Sequence, residues 1–150
     1  TLLKGSLAAG AVGAAVSAGL LTPKAVMAAW AKDAFEAKEV GAAMTGSMGS
    51  ADATASDKIQ LKAPDIAENG AVVPITVTSN IDGTTSMSIL VANNNTPLTS
   101  TYELGPNTEA YISTRVKMGK TSDVIAVAKA GGKLYSAKKE VKVTIGGCGG

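Results

Sequence analysis

One side chain in this sequence is placed for covalent chemistry. Cys148 is the single cysteine among 150 residues, and it stands in Gly146-Gly147-Cys148-Gly149-Gly150. Two glycines on each side leave the thiol without neighbouring side chains. They also leave the backbone free to sample φ > 0. Such a thiol is reachable, and no local side chain helps to pack it into a core. A free cysteine is only a few per cent thiolate near neutral pH. No basic residue lies within the last five, so activation falls to whatever protein the thiol meets. From Ile145, three residues to Cys148 span at most roughly 10 Å. The chemistry on offer is attachment, exchange or oxidation at one sulfur on a thin leash.

The remaining composition removes most alternatives. There is no histidine, so the commonest general base, the commonest metal ligand and any Cys-His dyad are absent. A single cysteine excludes an internal disulfide and a multi-cysteine metal site. Asp, Glu, Lys and Tyr remain, but no cluster of them marks a catalytic site, and nothing calls for a cofactor. Glu103 and Glu109 flank a turn without forming a carboxylate pair. Tyr102, Tyr111 and Tyr135 read as core or strand-face residues, and Lys138, Lys139 and Lys142 as a solvated strand edge. The net charge of +2 gives no nucleic-acid footprint.

These readings require elements that hold the cysteine out. Residues 1–28 read as an export signal. Lys4 precedes an uncharged run from Gly5 to Leu21, then Pro23, and Val26-Met27-Ala28 offers a small-residue exit. The run is rich in Gly and Ala and resembles the part of a twin-arginine signal that follows the arginine pair; the pair itself is not in the sequence. A mature start near Ala29 in an oxidising compartment is expected, with no membrane segment in the mature form. A lone exposed cysteine there suggests pairing with another molecule.

Residues 29–57 read as a helix, Trp30 to Met44, followed by a polar linker, Thr45 to Asp57. Residues 58–145 change to a period of two. Seven strands are expected, around Ile59/Leu61, Val73/Ile75/Val77, Met87/Ile89/Val91, Leu98/Tyr102, Ile112/Val116, Val124–Ala130 and Tyr135–Ile145. Gly131-Gly132 predicts a two-residue hairpin. Apolar residues make up 45 % and aromatics 3 %, so the core must be mostly Val, Ile, Leu and Ala. The pattern predicts a mainly β, immunoglobulin-like antiparallel sandwich of about seven strands with a short N-terminal helix. Pro74 puts the second strand at an edge or a bulge. Residues 146–150 are the arm.

Two stretches together resemble the SoxY family, the Y subunit of the sulfur-oxidation carrier complex. They are the Gly-Gly-Cys-Gly-Gly tail and Ile66-Ala67-Glu68-Asn69-Gly70-Ala71-Val72-Val73-Pro74-Ile75-Thr76-Val77. The resemblance implies a periplasmic partner of the Z subunit (SoxZ), with Cys148 as the attachment point for thiosulfate-derived sulfur. Gly146, Gly147, Gly149 and Gly150 would be its arm. It further implies service to a haem-containing pair (SoxAX), a manganese hydrolase (SoxB) and, where present, a sulfane dehydrogenase (SoxCD). The chain would be a carrier and not itself an enzyme. Two other classes stay open on the residues alone. One is an exported β-sandwich module that uses Cys148 for an intermolecular disulfide, including a Cys148-linked dimer. The other is a thiol redox enzyme, which lacks a resolving cysteine.

Overall fold

A computed structural model describes residues 31–144. The chain divides into two units, Thr1–Lys32 and Asp33–Gly150, and the fold below is that of the second. The export signal, Trp30, Cys148 and its four glycines lie outside the described residues.

Among the described residues, two helices, α1 (Lys32–Glu36) and α2 (Val40–Met48), are followed by nine strands. These are β1 (Ala53–Ala55), β2 (Ile59–Lys62), β3 (Ile66–Ala67), β4 (Val73–Ser79), β5 (Thr84–Val91), β6 (Leu98–Glu103), β7 (Tyr111–Val116), β8 (Ser122–Ala130) and β9 (Lys133–Val143). One sheet runs β1-β9-β8-β5-β6, with β3 also on β9, and the other runs β2-β4-β7. The seven expected strands are all present, within a mainly β two-sheet fold. Their pairings are antiparallel, whereas β1 and β3 join β9 in parallel.

Alternation explains the core. Val73, Ile75 and Val77 of β4 face Met87, Ile89 and Val91 of β5 and Val124, Ala126 and Ala128 of β8 in one buried cluster. Each such side chain contributes roughly 1.5–3 kcal/mol on burial if it is large. β5 is buried on both faces, because α2 packs against β5 and β6 from outside. Ser86 Oγ lies 3.5 Å from Met48 Sδ, and Lys129 Nζ lies 3.5 Å from the Met48 carbonyl oxygen.

Three expectations change. The single helix is two, broken at residues 37–39, and α2 runs four residues into the supposed linker. A Cβ on Gly46 would lie 2.8 Å from Ala34 Cβ, so the helices cross where both side chains are minimal. The rest of the supposed linker is not structureless, since β1 pairs with Leu134–Ser136.

Pro74, finally, lies in the central strand of the smaller sheet, not in an edge strand. The reason is register. Ser79 donates its N–H to Ala110 on the β7 side, and Asn80 donates to Lys58 on the β2 side. Amides alternate, so position 74 would point its missing N–H toward β2. The β2 ladder stops at Lys62↔Thr76, and the proline breaks no bond there. Gly131 and Gly132 have φ of 58° and 76° and form the expected hairpin between β8 and β9.

Candidate functional site, the root of the C-terminal segment

Among the described residues β9 is the longest strand, and it ends five residues before Cys148 in the sequence. Strand amides point alternately to either side, so its final rungs can be assigned one by one. Toward β3, the Lys142 N–H donates to Asp65 O at 3.0 Å and the Thr144 N–H donates to Ala67 O at 3.1 Å. Toward β8, Val141 pairs with Ser122. One step further, the Val143 N–H donates to Thr121 Oγ1 at 2.9 Å. The root is therefore fastened on both edges.

Each fastening has its own support. On the β3 side, Lys139 Nζ donates to Ala63 O at 2.6 Å and sits 2.9 Å from Asp65 Oδ1. This holds residues 63–65 against β9 just ahead of the pairing that begins at Ile66. On the β8 side, Asn93 Nδ2 donates to Thr121 O at 3.0 Å, and the Asn93 N–H donates to Ser122 Oγ at 2.9 Å. Asn94 bridges the same loop, donating to Lys117 O at 2.6 Å and accepting from the Gly119 N–H at 3.1 Å.

The surroundings are mixed. Ile66, beside Lys142 in the register, is 57 % exposed, and Val72, before β4, is also exposed. Lys142 is exposed and Val143 packs partly against the core. Among the described residues no group of three or more His, Cys, Asp or Glu could hold a metal ion, and no helix is long and apolar enough to cross a membrane. A hollow of about 330 Å³ is lined by Ser79, Asp82, Thr84, Leu104 and Thr108, among others. It lies at the opposite end of β5 from the root.

The other residues singled out in the sequence fall as follows. Tyr102 and Tyr135 pack against the core, while Tyr111 is exposed on the outer face of the smaller sheet. Lys138 and Lys142 are exposed. Lys139 is not a solvated edge residue, because both of its bonds run to the 63–65 segment. The sequence marks Thr121, Asn93 and Asn94 only as turn residues and does not mark Asp65. The run Asn93-Asn94-Asn95-Thr96-Pro97 signals a turn, but nothing in it tells which loop the amides brace.

The arrangement is a rigid mount for whatever follows Thr144. Comparison with known proteins bears on what that is. Residues 44–148 match the family model described as sulfur oxidation protein SoxY. Among solved structures, the chain is similar to the sulfur carrier protein SoxY from Chlorobium limicola f thiosulfatophilum. That match has 45 % identity and a TM-score of 0.63, and covers 69 % of this chain and 94 % of the other. It is also similar to a superoxide reductase (neelaredoxin) from Ignicoccus hospitalis at 15 % identity and a TM-score of 0.51. There the coverage is 57 % of this chain and 79 % of that one, and the likeness is one of fold alone. No curated protein matches the chain.

Proposed function

This chain belongs to the SoxY family of sulfur oxidation proteins, and on that premise we propose that it carries thiosulfate-derived sulfur covalently on Cys148. The observation that supports the site is that the family match extends to residue 148. The described fold supplies the mount, a strand end held on both edges.

The chemistry follows from the sulfur. Loading joins the Cys148 sulfur to the sulfane sulfur of thiosulfate as a disulfide-type bond. The thiol proton and two electrons leave, the electrons to the haem-containing partner pair. Water then cleaves the terminal S–S bond on the hydrolase, releasing sulfate and leaving a persulfide on Cys148. Where a sulfane dehydrogenase is present, it oxidises that remaining sulfur. The carrier contributes no acid or base to these steps. It contributes one nucleophilic sulfur and a backbone thin enough to enter a partner's cleft. The Z subunit is the proposed constant partner and the periplasm the proposed compartment. Cleavage is proposed after Ala28.

The test is a reconstituted thiosulfate-oxidising system. Cys148→Ser should abolish turnover while melting within a degree or two of the parent, because terminal changes of this kind stay within about 0.5 kcal/mol. Continued turnover by Cys148→Ser overturns the proposal.

A further inference from the structure

We propose that the outer face of the smaller sheet is a docking surface for an acidic patch on the hydrolase that acts on the carrier. Arg115 and Lys62 are its charged contacts, and Tyr111 and Pro74 its apolar ones. The charge pattern stands on the structure, and the choice of partner rests on the carrier reading above.

Strand alternation sets the face. Val73, Ile75, Val77 and Ile112 turn into the core, so their neighbours along the strands turn outward. In register, Pro74 lies beside Arg115, and Thr76 lies between Lys62 and Ser113. Thr78 lies beside Tyr111, which is 52 % exposed. Lys62, Pro74 and Arg115 are exposed as well. None of the three strands contains Asp or Glu. Among the described residues, Lys62 and Arg115 form no ion pair. They stand two strands across and two residues along, about 12 Å apart, far enough to meet separate carboxylates. The face is therefore of one sign, with an aromatic and an arginine, the residue types that interfaces favour.

The outer face of the larger sheet is different. There α2 lies over β5 and β6, and the uncovered part mixes Lys138 with the facing pair Asp123 and Glu140. Sign also selects the occupant. Two copies of the smaller sheet set face to face would oppose cation to cation, whereas an acidic surface offsets both charges. Place selects it too. β7 ends at Val116, and the loop that follows reaches Thr121, whose hydroxyl holds the Val143 N–H. The chain entering β4 carries Ala67, whose carbonyl takes the Thr144 N–H. The Pro74–Arg115 end of the face thus lies at the same end of the fold as the end of β9.

The experiment is a steady-state hydrolase assay on the loaded full chain. It compares the parent with Arg115→Glu, Lys62→Glu/Arg115→Glu, Arg115→Lys and Lys138→Glu, each checked by thermal melting. Arg115→Glu should raise KM roughly five- to tenfold with kcat unchanged, and the double variant should raise it further. The rise should shrink between about 0.05 M and 0.5 M salt. Arg115→Lys should restore KM, and Lys138→Glu should leave it alone. An unchanged KM, a rise that salt does not reduce, or an equal rise in Lys138→Glu overturns the proposal. Sedimentation supplies the other test. If Arg115→Glu releases the Z subunit or splits a self-associated chain, the face belongs to that interface and the proposal fails. A parent that loads but is not turned over, or that does not load, overturns the carrier reading and this choice of partner with it.

Discussion

Lys139 Nζ sits 2.9 Å from Asp65 Oδ1 and 2.6 Å from the Ala63 carbonyl oxygen, tying the approach to β3 onto the strand that leads to Cys148. The Asp65 side chain is 89 % exposed, so the ionic part is worth at most about 1 kcal/mol and is screened by salt. The bond to Ala63 remains when the carboxylate is removed. Asp65→Asn should therefore cost less stability than Lys139→Met. Lys139→Met should also speed exchange of the Lys142 and Thr144 amides. Urea melts and exchange on both variants check this; equal costs would place the interaction in the ion pair alone.

Register makes Pro74 harmless where strand order would not. Pro74→Thr should shift stability by no more than about 0.5 kcal/mol. Thr76→Pro, two residues on and opposite Lys62, removes an amide that faces the paired part of β2. It should destabilise by well over about 1 kcal/mol. Denaturant midpoints measure both, and a large loss in Pro74→Thr would contradict the register argument.

Gly46 and Ala34 meet where α2 crosses α1. Valine at Gly46 has no room, since even a Cβ falls 2.8 Å from the Ala34 Cβ. Gly46→Val should cost about 1–3 kcal/mol, despite the higher intrinsic helix propensity of valine. Thermal unfolding with circular dichroism decides it, and a neutral result would mean the crossing yields.

Much of this fold was legible from periodicity. β4, β5 and β8 alternate or run apolar as buried strands must, and Gly131-Gly132 declared its hairpin. β1 and β3 were not legible, because two or three residues carry no period and their partners on β9 are 81 and 76 positions away. The helix break was hidden by an Ala-rich composition in which every face looks alike. At the root of the tail, Cys148 announced itself by isolation. Thr121 did not, because a threonine between Lys120 and Ser122 has no local sign that its hydroxyl meets a strand 22 residues away.

The glycines around Cys148 make a separable claim. Gly147→Val should be nearly silent in stability, within about 0.5 kcal/mol. It should nonetheless slow turnover by partner enzymes, because a β-branched side chain widens and stiffens the leash. Steady-state assays on loaded carrier would show it. Full activity would leave the cysteine in place and remove the argument for a thin arm.

The central claim is that sulfur rides on Cys148. Intact-mass measurement after loading with thiosulfate and the haem-containing pair tests it most directly. The parent should gain mass in sulfur or thiosulfate increments that a reductant removes, and Cys148→Ser should gain none. An unmodified parent, a parent that forms only a disulfide dimer, or a loaded Cys148→Ser variant would contradict it.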